Sequence, residues 1–316
     1  MQKRLLFVMN PKAGKTVIKT EMIDIIQIFT DAGYAVEVYP TNRNPKITAK
    51  YVYDNAEKFD LVVCAGGDGT LDNTVSGIMK LERKLKRRIH MGYIPCGSTN
   101  DYARSLRISL NPLEAAHQIV NGSICHVDVG RIESNFFIYV AAFGAFTDVS
   151  YSTPQNLKNA LGHAAYILEG VKALTTLKSY PMKFWFDGEI EEGDFIYGQV
   201  TNSLSIGGFR NFGSRHMSFS DGKFETVLIR RPKTPIELQR IVNGLLTDNL
   251  EDELIIFRKA SRIIAKGKED IPWTCDGEFG GSYKTARIAN IRKAISLTLD
   301  DQTEYATRRS GESSKS

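Results

Sequence analysis

An α/β domain on a parallel sheet, followed by a mainly β domain, is the fold class that three observations predict. The first 126 residues alternate apolar strand runs with helix-period stretches. A continuous apolar run, Leu61 to Ala65, ends abruptly in Gly66-Gly67-Asp68-Gly69. Beyond His126 the texture changes to short strand-like segments broken by turn residues.

The elements follow in order. Leu5 to Met9 reads as a strand, and Asn10-Pro11-Lys12-Ala13-Gly14-Lys15 as the loop at its carboxyl end. A helix then places Ile18, Met22, Ile25, Ile26 and Phe29 on one face and stops at Gly33. Tyr34 to Tyr39 alternates like a strand, and a helix carrying Ala49, Val52, Tyr53 and Ala56 leads to Leu61. After the glycines, Leu71, Val75, Ile78 and Met79 recur at helical spacing, so the glycines sit where a buried strand becomes a helix. There they allow positive φ and close approach of a ligand to backbone N–H groups, while the helix adds its N-terminal partial positive charge. That makes a phosphate seat. Asp68 among the glycines calls for a cation or water between carboxylate and phosphate, hence a metal-assisted nucleotide site. Neither a P-loop nor a G-x-G-x-x-G fingerprint occurs anywhere.

The basic run Arg83 to Arg88 reads as a solvated helix end. Met91 to Ile94 is a fourth strand, followed by the polar loop Pro95 to Arg104 and by a helix from Asn111-Pro112 to Asn121-Gly122. Parallel strands joined by crossover helices bind ligands outside their carboxyl ends, where the loops at Asn10, Thr41 and Gly66 all fall. In the second part, Phe136 to Ala142, Met182 to Phe186, Phe195 to Asn202, Phe224 to Arg230, Arg262 to Ala265 and Ala294 to Leu299 read as strands. Asp187-Gly188 is a two-residue hairpin signal. Leu157 to Val171 and Pro235 to Leu246 read as helices, and the tail from Ala306 as a frayed end.

At 316 residues the chain is long enough for two cores, here 1–126 and 127–299, the first completed by 300–316. No run of about 18 apolar residues occurs, so a cytoplasmic protein is expected. Cys64, Cys96, Cys125 and Cys275 form no C-x-x-C pair, which fits reduced packing thiols and argues against zinc. The net charge of +5 suits an anionic partner without demanding one, and nothing supports nucleic acid.

Asn10 to Gly14, Gly66 to Thr70, Pro95 to Asp101, Val127-Asp128-Val129-Gly130, Asp221-Gly222 and Asp276-Gly277-Glu278 with Gly280-Gly281 behind it resemble, in order and spacing, one family over the whole chain. That family is the diacylglycerol kinase catalytic-domain family of bacterial lipid kinases, related in fold to NAD kinases and sphingosine kinases. The resemblance implies an ATP-dependent lipid kinase, most simply one acting on diacylglycerol, with the nucleotide between a Rossmann-like three-layer α/β domain and a C-terminal β-sandwich. Asn10, Pro11, Lys12, Ala13, Gly14, Thr41, Gly66, Gly67, Asp68, Gly69, Thr70, Leu71, Asp72 and Ser98 would then hold ATP. Asp68, Asp101 and Asp128 would form the carboxylate network that positions catalytic Mg²⁺. Asp276 and Glu278 match the catalytic pair, and Asp221 with the carbonyls of Ser218 and Lys223 matches a structural Mg²⁺ site. The implied partners are ATP, a lipid at the inner membrane face and a second copy of the chain.

This chain departs from the family at Asp72-Asn73, where Asn-Glu is usual, and at Ser98, where threonine is usual and the hydroxyl is kept. Asp187-Gly188-Glu189 repeats the late triplet, so a hairpin turn can imitate the catalytic motif; the later copy is preferred for its trailing glycines. Asp221-Gly222 can be read as a turn alone. His163 and His216 read as ordinary polar residues, with no second histidine at i+4. An NAD kinase and a nucleotide-binding regulator without turnover are the alternatives; the first is expected to keep Asn-Glu, and the second need not retain both Asp276 and Glu278.

Overall fold

A computed structural model of the protein describes residues 2–13, 17–42, 44–145, 178–202, 205–206, 209–210, 218–247 and 252–300. Gly14, the helix expected from Leu157 to Val171, His163, His216 and the tail from Ala306 lie outside the described residues.

The first part alternates as its periodicity predicts: β1 (Lys3–Met9), α1 (Val17–Asp31), β2 (Tyr34–Pro40), α2 (Pro45–Asn55), β3 (Leu61–Gly66), α3 (Asp68–Leu85) and β4 (His90–Pro95). Two shorter helices follow, α4 (Asp101–Ser105) and α5 (Pro112–Asn121). Asn111 caps α5, its side-chain oxygen accepting from the N–H groups of Leu113 and Glu114, and Pro112 opens the helix where no N–H is needed. Gly33 takes φ +86 just past the end of α1, the left-handed conformation that a helix stop requires. β1 pairs in parallel with β2 and β3, and β3 in parallel with β4. β3 is buried at every position, so its apolar run has no polar face. One core, from Leu5 through Phe29, Val63, Ile78 and Ile94, serves these elements.

The strand-rich part comprises β5 (Ser123–Ile132), β6 (Asn135–Phe137), β7 (Val140–Gly144), β8 (Tyr180–Phe186), β9 (Glu189–Thr201), the short β10 (Ser205–Ile206) and β11 (Phe209–Arg210), β12 (Phe224–Arg230), then α6 (Pro235–Thr247), β13 (Ile255–Ala260), β14 (Arg262–Cys275) and β15 (Glu278–Leu299). Their mutual pairings are antiparallel. β7, β9, β8 and β14 pair successively and close into a ring around a second core in which Phe143 lies 5.0 Å from Trp273 and 6.0 Å from Phe184 between ring centres. The ring closes because β14 changes partner partway: its register shifts between Lys266 and Ile271, the sort of irregularity that turns a strand and tolerates Pro272.

Two sequence expectations change here. The parts do not have separate sheets: one 13-stranded mixed sheet runs through the protein, because β15 leaves β14, pairs along β5 and ends in parallel with β4 at Ser296 and Leu297. The strand expected from Phe136 to Ala142 is two, β6 and β7, because the N–H groups of Ile138, Tyr139 and Val140 turn to a carboxylate.

Candidate active site

The carboxyl ends of the first four strands are stapled side by side. Asn10 N–H donates to the Ala65 carbonyl at 2.8 Å, Thr41 N–H to Met9 at 2.8 Å and Cys96 N–H to Gly66 at 2.8 Å. This brings the loops at Asn10, Thr41, Gly66 and Gly97 to one edge, as the parallel topology requires. The Asn10 amide donates to the Thr70 hydroxyl at 3.3 Å and its oxygen accepts from Lys12 N–H at 3.0 Å, so the first loop is tied to the first turn of α3.

The glycines work differently from the sequence expectation. None of Gly66, Gly67 or Gly69 has positive φ; Gly67, the residue before α3, has φ −87. They are needed for close approach. A Cβ on Gly67 would stand 3.1 Å from the Gly97 Cα, and one on Gly97 would stand 2.6 Å from the Gly67 Cα, so the two loops touch backbone to backbone. Asn100 fixes the second loop: its side-chain oxygen accepts from Gly97 N–H at 2.7 Å and its amide donates to the Gly97 carbonyl at 3.0 Å, while its own backbone takes φ +51. Ser98 is exposed between them.

Asp68 begins α3 and links the loops. One carboxylate oxygen accepts from the Thr99 hydroxyl at 3.2 Å and from Asp101 N–H at 3.4 Å. The other is buried with no hydrogen-bond partner among the described residues, and burial, helped by the Asp101 charge, pushes the carboxyl above its ordinary range. One turn on, Asp72 also has a buried oxygen without a partner there. Burial pushes its carboxyl well up, and the charges of Asp276 and Glu278 push it further. Leu71 and Ala13 are buried in the core and offer a nucleotide only their backbone. Asn73 turns inward along its own helix, donating to the Gly69 carbonyl at 2.6 Å.

The late triplet comes to the same place. Asp276 and Gly277 have φ +50 and +85 and form the two-residue turn joining β14 to β15. The Asp276 side chain is buried and accepts three backbone N–H groups, from Ile138 at 2.6 Å, Tyr139 at 3.0 Å and Val140 at 2.9 Å. Burial pushes its carboxyl up to about 7 against those three donors, which pull it down, and the Asp68 charge adds to the rise. Glu278 is exposed and reaches over the glycine turn: a Cβ on Gly69 would lie 3.1 Å from its Oε1. The Asp72 charge therefore joins a cleft that holds Asp68, Asp276 and Glu278. The resemblance places Asp72 among the nucleotide-binding residues, but nothing in the sequence signalled its closeness to the carboxylates of the late triplet.

The twin triplet has the same turn geometry, with Asp187 and Gly188 at φ +47 and +117. Its carboxylate accepts from Ser261 N–H at 2.7 Å and Arg262 N–H at 3.0 Å on an exposed corner, and those donors hold its carboxyl below the ordinary range. It is a structural clasp away from the cleft.

Asp128 is brought to a different group from Asp68. Its two oxygens accept from Gly222 N–H at 2.7 Å and Lys293 N–H at 2.6 Å, holding the turn at Asp221 against β15. At that turn one Asp221 oxygen accepts from Lys223 N–H at 3.0 Å, and the other pairs with the Lys259 ammonium at 2.9 Å, which also reaches Glu225 at 3.0 Å. The Lys223 carbonyl accepts from the Asn290 amide at 3.2 Å, and buried Ser218 accepts from Ser220 N–H at 3.4 Å. A lysine already supplies the positive charge, so these residues do not fit a Mg²⁺ ion as they stand. The buried, partnerless oxygens of Asp68 and Asp72 do fit one, being hard carboxylate donors.

Residues 4–132 match the model of the diacylglycerol kinase catalytic domain. A diacylglycerol kinase of Bacillus subtilis (strain 168) is 31% identical over 298 residues, spanning 94% of this chain and 96% of that protein. The chain belongs to the diacylglycerol kinase family. A diacylglycerol kinase of Staphylococcus aureus (strain JH9) is 30% identical over 94% of this chain and 92% of its own length. Among solved structures, a Bacillus anthracis Sterne protein provisionally named a diacylglycerol kinase matches with a TM-score of 0.77 at 25% identity, over 96% of both chains. A second diacylglycerol kinase structure from that strain gives 0.71 at 22% identity, a likeness of fold. Membership extends over nearly the whole chain, so the strand-rich half with Asp276 and Glu278 belongs to the family kinase and not to an appended module.

Proposed function

We propose that the protein transfers the γ-phosphoryl group of ATP to the free hydroxyl of a diacylglycerol, giving phosphatidic acid and ADP. The observation that carries this reading is the position of Glu278 against Gly69, a carboxylate from the second half beside the glycine turn that opens α3 in the first. The N–H groups at the start of α3 and of the Gly97 loop would receive the phosphates. Asp68, with Asp72, would hold Mg²⁺, which supplies charge neutralisation at the phosphoryl oxygens. The lipid hydroxyl loses its proton as its oxygen bonds to the γ-phosphorus and the bond to the β-phosphate oxygen breaks. Glu278, exposed at the cleft, is the better placed base; Asp276, anchored by three amides, sets the turn that presents it. The division near residue 126 would separate the nucleotide-binding and lipid-binding parts. Among the described residues no helix is long and apolar enough to cross a membrane. The lipid substrate itself lies in a bilayer, and on this reading the protein would meet it peripherally, at the cytoplasmic face. Incubating the purified protein with labelled ATP and a panel of diacylglycerol, ceramide, undecaprenol, phosphatidylglycerol and NAD tests the assignment. Label in phosphatidic acid supports it; label in NADP alone rejects it.

A further inference from the structure

The basic run that closes α3 lines a cavity of about 450 Å³. Arg83, Lys86, Arg87 and Arg88 come from the end of the helix and the turn after it, Arg131 from β5 and Arg292 from β15. A solvated helix end accounts for the first four, since cations there oppose the helix dipole, but not for two arginines arriving from strands. The single carboxylate, Glu82, is spent: it accepts from Ile89 N–H at 2.6 Å and pairs with Arg88 at 3.3 Å. Arg87 donates to the Glu57 carbonyl at 2.8 Å and Arg292 to the Ser220 carbonyl at 3.2 Å, contacts that orient the guanidinium groups and neutralise nothing. Among the described residues no other ion pair relieves the cluster. Six exposed cations around one occupied carboxylate present a concentrated positive field to an anion from outside.

The rest of the lining is apolar: Met79, Phe136, Ile291 and Ala294. Free phosphate has no use for such a surface. A phosphate carrying an acyl-glycerol body has, because its charge meets the arginines while its apolar part meets the floor. Arg83 stands 15 residues along α3 from Asp68, about 22 Å at the helical rise, so this is a place apart from the phosphate seat. It also borders β15 where that strand bulges out of register with β5, between Ile291 and Ile295. Within this bulge Ala294 accepts from Arg88 and Lys293 N–H donates to Asp128.

We propose that this cavity binds the phosphate headgroup of an acidic phospholipid and so docks the protein on an anionic membrane surface. The proposal rests on the lipid-surface reading above and adds the residues that would carry it. The test uses the full chain with vesicles of phosphatidylcholine alone or mixed with phosphatidic acid, and separately inorganic phosphate read by thermal shift at constant ionic strength. The variants are the double changes Arg83→Glu with Arg131→Glu and, as the conservative control, Arg83→Lys with Arg131→Lys; both positions are exposed and outside the cleft that holds Asp68, Asp276 and Glu278. The acidic vesicles should bind the wild type and the lysine variant, and the glutamate variant at least about tenfold more weakly. Turnover of detergent-dispersed lipid should be the same in all three. Undiminished vesicle binding by the glutamate variant overturns the proposal. So does a glutamate variant that loses only the phosphate shift, since the cavity would then serve free phosphate, and so does one that changes oligomeric state while still binding vesicles. A wild type that ignores acidic vesicles but turns over dispersed lipid overturns the docking site and leaves the kinase reading standing; no lipid turnover with intact vesicle binding does the reverse.

Discussion

Asp276 shows why three letters of sequence do not make a site. Asp276-Gly277-Glu278 and Asp187-Gly188-Glu189 form the same left-handed turn, yet the first aspartate is buried against three amides beside other carboxylates and the second clasps an exposed corner. What separates them is which strand lies behind the turn, a long-range fact no local pattern contains. The same holds for Asp128, whose motif was plain but whose partners, Gly222 and Lys293, are distant in sequence. Burial raises the folded-state pKa of Asp276 to about 7, so its protonated form is favoured by folding. That contribution is complete below the unfolded carboxylate pKa and is lost as pH rises through about 7. The thermal midpoint of the wild type should therefore fall relative to that of Asp276→Asn between about pH 4 and pH 7. A constant difference would mean that the carboxylate is ionised throughout. At the Asp221 turn, Lys259 supplies the cation, so EDTA should leave the midpoint of the ligand-free protein unchanged. A drop on chelation that disappears in Asp221→Ala would show that a metal displaces the lysine.

At the scale of elements, helix starts and stops were legible because they are local chemistry: Asn111-Pro112, Gly33 and Asp187-Gly188 all lie where caps and turns demand. β12 matches its expected span of Phe224–Arg230, carried by Phe224 and Val227 to Ile229. β14 and β15 were far longer than the stretches that read as strands, since Lys266-Gly267-Lys268-Glu269-Asp270 hides the alternation in charge and Pro272 mimics a break. The glycine turn between β3 and α3 was legible as glycines before a helix, but its reason was not positive φ. It is contact with a second loop, which predicts that Gly97 is as intolerant as Gly67. Gly97→Ala places a Cβ 2.6 Å from the Gly67 Cα, and backbone cannot swing aside as a side chain can. The change should cost about 1–3 kcal/mol of stability and weaken ATP binding. Calorimetry and nucleotide titration check both; an alanine variant with unaltered ATP affinity would mean that the loops are not pressed together.

Over the whole molecule, β15 is the element that makes two halves one. Its 22 residues run from the turn at Asp276-Gly277, past the basic cavity, to a parallel pairing with β4. Leu297 is fully buried at that end and belongs to the first core. Leu297→Ala should cost about 2–5 kcal/mol and lower the midpoint of both halves together in a single transition. Two transitions, one unmoved, would show that the halves melt independently. The change in texture after His126, from helix–strand alternation to antiparallel strands, was readable, whereas the shared sheet was not, because it depends on the last strand returning to pair with β4.

The central claim is that the late hairpin of the second half brings its carboxylates to the phosphate seat of the first. The direct measurement is phosphoryl transfer from labelled ATP to dispersed diacylglycerol by the wild type, Asp276→Asn, Glu278→Gln and Asp187→Asn, with ATP affinity measured alongside. Glu278→Gln should keep ATP affinity and lose about a hundredfold or more in kcat. Asp276→Asn should also lower kcat, and Asp187→Asn should turn over like the wild type. Full turnover in Glu278→Gln and Asp276→Asn, with loss in Asp187→Asn, would contradict the account.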